Sequence, residues 1–595
     1  MQDHTQNLNW KMITKAGEGV MLASKLFAKL CKRSGLEVFN YYEYPSLIKG
    51  GQQSGQVYAS QNQAHCQHRR LDLLVLLHEK FLAEHLDELD EQSLILINAK
   101  NFDASSYPQL QSTVLTLPIT QLARKTTGDA QASNMIALGV SACLLGLDIK
   151  ILEQIIKDEF VGKTAVIDKN LKALTVGCQE AMTLMKEQDI NPILPAITKT
   201  QDDKLLLTGN EAVGLGAIAA GLQFYSAYPM TPASGLLHYL AARQHDYPLV
   251  VKHSEDEIAA INQALGASFA GVRAMTGSSG GGYALMVEAT SLSGVAEIPL
   301  VILEAMRQGP ATGLPTWTSQ ADLSFIVNAG HGDFTKVVLT PGDVLEHYQL
   351  TRVAFELAER YQLPVFILSD KYLLESHQTM SQPETKQSNP RFSLLAEDKQ
   401  PGLDYQRYQD TSDGVSPRAI PGVNQAIQLT NSYDHDVYGF ATEEAKTTKQ
   451  AVDKRARKLK GLIKDLPQPV VLGASNKQAK RVLLSYGSTV NVLRDLLLNY
   501  PTLAKTTRVI HLPCVAPLPS QALLEALDLE QINGKQQQLF TVEGNATGQL
   551  ASLIKAHLPV QHLQSILRYD GRPFYSEDLA QFLLKGRLTD QYQLR

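Results

Sequence analysis

Leu205-Leu206-Leu207-Thr208-Gly209-Asn210 reads as a short apolar strand that runs straight into a turn and a helix start. Short apolar strands recur at residues 249–252, 300–304, 336–339 and 365–369, with helix-compatible stretches between them. Strands separated by helices pair most readily in parallel, so residues 205–375 read as one α/β domain.

The same alternation extends outward in both directions. Before it, an extended start at residues 10–14 meets Gly17-Glu18-Gly19 and an apolar helix pattern at Met21, Leu22, Leu26 and Leu30. Strand-like segments follow at residues 38–42, 73–77 and 94–97, giving a first α/β domain over 1–190 and a Pro-containing linker at 191–204. After it, residues 376–466 turn polar and irregular and are read as a connecting segment on the surface, ending in a Lys-, Ala- and Arg-rich helix at 443–460. Its Lys454–Lys460 block is read as a solvated helix face rather than an RNA patch. A third α/β domain covers 467–595, with strands at 481–485 and 538–542 that end in Gly487-Ser488-Thr489 and Glu543-Gly544-Asn545. The fold class is therefore α/β, multidomain, with three domains rich in parallel sheet.

A length of 595 residues, 44% hydrophobic and 19% charged, suits several ordinary globular domains. The net charge of −5 offers no basic field for nucleic acid. The polar start and the short apolar runs point away from a signal peptide or membrane span, and so to the cytoplasm. Cys31, Cys66, Cys143, Cys178 and Cys514 form no Cys-x-x-Cys pair, so the chain is expected to hold no iron–sulfur cluster, no disulfide framework and no metal.

Chemistry concentrates between Thr208 and Asp322. In Tyr228-Pro229-Met230-Thr231-Pro232-Ala233-Ser234 two prolines stiffen the backbone around the Thr231 hydroxyl, although the same residues make an ordinary turn with a helix cap. Ser254-Glu255-Asp256-Glu257 precedes a helix of small residues. Glu255 and Asp256 suit its N-terminal dipole, whereas Glu257 would be packed close and drawn out of water, where a carboxyl can exchange protons. Thr276-Gly277-Ser278-Ser279-Gly280-Gly281-Gly282 exposes backbone N–H groups but completes neither a P-loop nor a dinucleotide fingerprint. Arg307, closing a buried-looking strand before Gln308-Gly309-Pro310-Ala311-Thr312-Gly313, needs an anion: either a nearby acid or a bound carboxylate.

In their order, these segments resemble the 2-oxoacid:ferredoxin oxidoreductase family, specifically its α subunit in the fused γ–α form. Gly209-Asn210-Glu211, Gln320, Asp413-Gly414-Val415-Ser416-Pro417-Arg418, Gly487-Ser488-Thr489 and Glu543 to Leu550 extend the match over nearly the whole chain. The first domain resembles the family's γ module through Tyr44-Pro45-Ser46-Leu47-Ile48-Lys49-Gly50-Gly51, but Thr14-Lys15-Ala16 stand where the family often has glycines. The other two resemble the pyrimidine-side thiamine diphosphate domain and the transketolase C-terminal domain.

The resemblance implies a β-subunit partner that binds the diphosphate through Mg²⁺ and carries a [4Fe–4S] cluster, in an (αβ)₂ heterotetramer that passes electrons to ferredoxin. It implies thiamine diphosphate at the subunit interface and coenzyme A as co-substrate. Glu257 would hydrogen-bond the aminopyrimidine and share its proton, with Tyr228, Pro229, Ser279 and Gly280 lining the cofactor. Thr231 and Arg307 would hold the substrate carboxylate. The fused form points to 2-oxoglutarate, with pyruvate or branched-chain oxoacids as alternatives and a non-catalytic scaffold as the alternative of another class. A second substrate carboxylate needs a second cation, for which Lys49, Lys252 and His253 are candidates.

Overall fold

The computed structural model describes residues 7–46, 51–194, 203–383, 390–396, 398–423, 425–586 and 588–595. Lys49 lies outside the described residues. The chain divides into two compact units, the first comprising Met1–Thr208, Glu375–Pro383 and Tyr575–Glu577, the second the remainder.

The first unit is built on an eight-stranded sheet ordered Thr113–Leu117, Leu94–Asn98, Leu73–Leu76, Asn7–Lys15, Gln52–Ser60, Glu37–Glu43, His377–Ser381, Lys204–Thr208. The first four strands of that order run parallel and the others pair antiparallel. Leu205–Leu207 therefore hydrogen-bond to Gln378–Met380 within this unit. Gln52–Ser60 was not legible as a strand because its residues, Gln-Gln-Ser-Gly-Gln-Val-Tyr-Ala-Ser, carry no apolar alternation.

Helices Ser133–Leu144 and Thr164–Glu187 cross so closely that a Cβ on Gly139 would lie 2.2 Å from the Leu174 carbonyl oxygen. One on Gly177 would meet the Ile136 carbonyl at the same distance. That approach brings the Cα atoms of Cys143 and Cys178 to 5.5 Å, and they form a disulfide. The expectation of five unlinked thiols is corrected here: their 35-residue separation hides a contact made by two glycine faces. Cys31 and Cys514 are buried thiols, and burial pushes that of Cys514 up to about 12.

The second unit holds two further sheets. One is ordered Cys514–Ala516, Val337–Leu339, Pro364–Asp370, Leu300–Met306, Ala274–Ser278, Phe224–Ala227, Val250–His253, parallel except at the Cys514 edge. The other is ordered Val470–Gly473, Thr507–His511, Arg481–Ser485, Gln538–Glu543, Leu563–Leu567, Gln593–Leu594, with a parallel centre. The expected α/β class, three sheets rich in parallel pairing, is what the chain adopts. One continuous apolar core joins the two sheets of this unit, including Ile302, Phe366, Leu484 and Leu550.

The turns that end two strands of the third sheet, Gly487–Thr489 and Glu543–Asn545, join it to the second. The Gln320 amide accepts from Thr489 Oγ1 at 2.9 Å and Gly544 N at 2.8 Å, and donates to the Tyr486 carbonyl at 3.1 Å. Glu543 accepts from Leu550 N at 2.7 Å, fixing the start of the next helix.

The helix Ala445–Asp465 also departs from expectation. Lys454 and Lys458, four residues apart and so on one face, are buried rather than solvated. Both pair with the buried Glu297 carboxylate, at 2.7 and 2.6 Å, and Arg407 donates to the Glu297 carbonyl at 2.7 Å. A Lys-rich pattern cannot distinguish a solvated stripe from one laid over a single buried acid. Among the described residues no helix is long and apolar enough to cross a membrane.

Candidate functional site

The carboxyl ends of adjacent parallel strands bring the singled-out residues together, as strand order in an open α/β sheet dictates. Phe224–Ala227 leads into Tyr228–Ser234, Ala274–Ser278 into the glycine-rich loop, and Leu300–Met306 into Arg307. Glu257 opens the helix Glu257–Phe269, whose N-cap is Asp256, its carboxylate accepting from Ala259 N at 2.7 Å. Asp256 is thus a cap, a more specific role than the match to the helix dipole that it was expected to share with Glu255.

Glu257 is buried at 4% exposure while Glu255 and Asp256 are exposed. Its side chain lies over Gly282: a Cβ there would sit 2.5 Å from Glu257 Oε1 and 2.1 Å from Ser278 Oγ. Only glycine lets the loop close onto the carboxyl. Ser279 Oγ is buried and accepts or donates no hydrogen bond among the described residues, whereas Gly281 is exposed with open space around it. An orphaned hydroxyl next to a bare backbone is a site that a polar, flat group could complete.

Ser278 Oγ contacts Met230 Sδ at 3.8 Å, linking this pocket to the Tyr228–Ser234 turn. The Thr231–Pro232 peptide is cis, and Arg307 Nη1 donates to the Thr231 carbonyl at 2.9 Å. Arg307 is partly buried and makes no ion pair among the described residues, so the nearby acids do not neutralise it. Desolvation lowers its pKa, which Asp322 opposes. A half-buried guanidinium without a carboxylate partner is an anion receptor. Tyr228 is exposed, Pro229 partly so, and the Tyr228 ring lies 6.4 Å from that of His253. Lys252 and His253 are both exposed at the edge strand.

Sequence reasoning passed over the acids beneath this rim. Glu304, inside the strand Leu-Val-Ile-Leu-Glu-Ala-Met, is fully buried, and Asp322 and Asp370 lie close to it. A lone acid amid six apolar strand residues was the available signal.

Residues 215–454 match the family model of the pyruvate flavodoxin/ferredoxin oxidoreductase thiamine diphosphate-binding region, and residues 9–180 that of pyruvate ferredoxin/flavodoxin oxidoreductase. The chain is 34% identical to a 2-oxoacid:ferredoxin oxidoreductase subunit alpha of Aeropyrum pernix, covering 76% of this chain and 71% of that one. It is 28% identical to the corresponding subunit of a Sulfolobus species over 97% and 96% of the two chains. In structure it is similar to 2-oxoglutarate:ferredoxin oxidoreductase from Magnetococcus marinus, solved with 2-oxoglutarate, coenzyme A and succinyl-CoA bound. That likeness has a TM-score of 0.88 at 29% identity, over 98% and 99% of the chains.

Proposed function

The chain belongs to the 2-oxoacid:ferredoxin oxidoreductases as an alpha subunit, and from that premise we propose that it supplies the pyrimidine-side half of a thiamine diphosphate site acting on 2-oxoglutarate. The observation that carries this reading is Arg307, a guanidinium without an ion-pair partner among the described residues, hydrogen-bonded to Thr231 on the rim that also holds buried Glu257. When bound, thiamine diphosphate supplies the carbon nucleophile and electron sink for decarboxylation.

Within this chain Glu257 holds a proton at the aminopyrimidine nitrogen, in a pocket from which Gly282 admits no side chain. Ser279 and Gly280 line the same pocket, and the exposed Tyr228 and Pro229 border it. Arg307 and the Thr231 hydroxyl orient the oxoacid carboxylate so that its keto carbon faces the cofactor. Lys252 and His253 are the described candidates for a second, distal carboxylate.

The partner is a β subunit that holds Mg²⁺, the diphosphate and a [4Fe–4S] cluster, in an (αβ)₂ complex that reduces ferredoxin with coenzyme A as acyl acceptor. Tyr228, Ile258 and Leu285, in the segments that carry the site, support such a partner, being 39–53% exposed.

The test is kcat/KM of the reconstituted complex for 2-oxoglutarate, pyruvate and branched-chain oxoacids. 2-Oxoglutarate should lead. Arg307→Ala should cost about 2–3 kcal/mol, roughly a 30- to 150-fold fall in kcat/KM, because a charge-assisted pair to the carboxylate is lost. Equal kcat/KM for wild type and variant would remove Arg307 from the substrate site.

A further inference from the structure

Resting on the reading of Arg307 as the carboxylate receptor, we propose that Arg572 and Trp317 are positioning residues, a stacked pair that holds the hairpin following Arg307 and so fixes where its guanidinium stands. Arg307 leaves the strand Leu300–Met306 and leads directly into this hairpin. Gln308 N donates to the Trp317 carbonyl at 3.1 Å, and Leu314 N to the Gln308 carbonyl at 2.8 Å. Trp317 N donates in turn to the Leu314 carbonyl at 3.0 Å, so Trp317 closes the loop that Arg307 opens. The turn is drawn tight: a Cβ on Gly313 would lie 2.0 Å from the Gln308 carbonyl oxygen.

The third sheet supplies the clamp. Just past its strand Leu563–Leu567, the buried Arg568 donates to both Asp570 oxygens at 3.0 Å and to Tyr592 Oη at 3.1 Å. Asp570 Oδ1 accepts from Arg572 N at 2.9 Å, which turns the chain at Gly571. The Gly571 carbonyl accepts from Thr318 N at 3.2 Å. Its φ of +79° and the 3.2 Å that a Cβ would keep from Trp317 Cβ both call for glycine. Arg572 then lies over the Trp317 indole, its Cζ 3.1 Å from the ring centroid. The guanidinium makes no ion pair among the described residues, so the indole face is its partner. Arg307 is thus held from both sides, by the strand before it and by the clamped hairpin after it. A shift of about 1 Å in such a substrate-orienting group can cost up to about a hundredfold.

The experiment uses the reconstituted complex for kinetics and this full chain for fluorescence and melting. Arg572→Ala should raise KM for 2-oxoglutarate roughly five- to thirtyfold, the range a cation–π pair supports, with a much smaller change in kcat. Arg572→Lys, which keeps the cation, and Trp317→Phe, which keeps a ring face, should each retain part of the wild-type affinity. In a chain already carrying Arg307→Ala, Arg572→Ala should change KM by less than about twofold, because its effect passes through that guanidinium. Trp317 is one of two tryptophans, and the other, Trp10, is fully buried and stacked on Phe27. Acrylamide quenching therefore reads the Trp317 face, and Arg572→Ala should uncover that face and steepen the quenching.

Steeper quenching, together with a KM effect that disappears in the Arg307→Ala background, supports the clamp. Unchanged quenching would show that the two side chains do not stack in solution. A fall in kcat and melting temperature that Arg572→Lys does not relieve, or a KM effect that persists in full without Arg307, would mark general fastening of the fold and overturn the positioning role. No oxoacid turnover by the wild-type complex sinks the functional reading, and this role with it. Wild-type turnover with the same KM in Arg572→Ala sinks the role alone and leaves Arg307 placed by its strand.

Discussion

Replacing Glu257 by alanine is expected to lower kcat of the assembled complex by roughly 10²–10⁴-fold, the range a single positioned proton-transfer group supplies. The side chain is buried, opens its helix without capping it, and rests over a glycine that leaves no room for another group. Shortening it removes the proton-sharing oxygen and leaves Asp256 as cap, so melting temperature and subunit assembly should change little. Glu257→Asp should recover only a small part, because one methylene less withdraws the carboxyl from the pocket. Glu257→Gln keeps the shape and loses the proton affinity. Near-normal turnover in all three would mean that the pocket over Gly282 is not where the cofactor is activated.

The second large effect is on stability. Glu297 is buried at 1% exposure, and it balances Lys454, Lys458 and Arg407, also buried. The two lysines hold the Glu297 carboxyl well below the usual carboxylate range, and burial lowers Lys458 to about 8. Glu297→Ala leaves up to three buried cations with no counter-charge, which should cost about 3–5 kcal/mol in denaturant or thermal unfolding. Restoring balance with Lys454→Met and Lys458→Met in the same chain should recover much of it. An unchanged melting temperature for the single variant would show that the lysines reach water and that helix Ala445–Asp465 is not fastened through this acid.

The class of fold and the rim of the site were readable from residue order, whereas partnerships across the chain were not. Residues 481–485 and 538–542 reappear almost residue for residue as Arg481–Ser485 and Gln538–Glu543, because buried parallel strands are continuous apolar runs. Leu205–Leu207 was readable as a strand, but its pairing with Gln378–Met380 depends on residues about 170 positions away and leaves no local signature. Cys143 and Cys178 meet for the same non-local reason, through Gly139 and Gly177.

At the site, Thr231, Glu257, Ser279, Gly280 and Arg307 converge because each follows or flanks a strand end. Glu304 shows in the sequence only as one acid in an apolar strand, and Asp322 comes near it from a later segment with no local signature. Gln320, Gly487–Thr489 and Glu543–Asn545 carried a family pattern that the fold explains as inter-sheet fastening.

If this chain holds half of an active site, its chemistry depends on a partner for the rest. The direct measurement is oxoacid- and coenzyme A-dependent reduction of a one-electron acceptor by this chain alone, supplied with thiamine diphosphate and Mg²⁺, and then with its β subunit added. No turnover and no iron–sulfur absorbance are expected from the chain alone, with both appearing on reconstitution. Turnover by the isolated chain would contradict it.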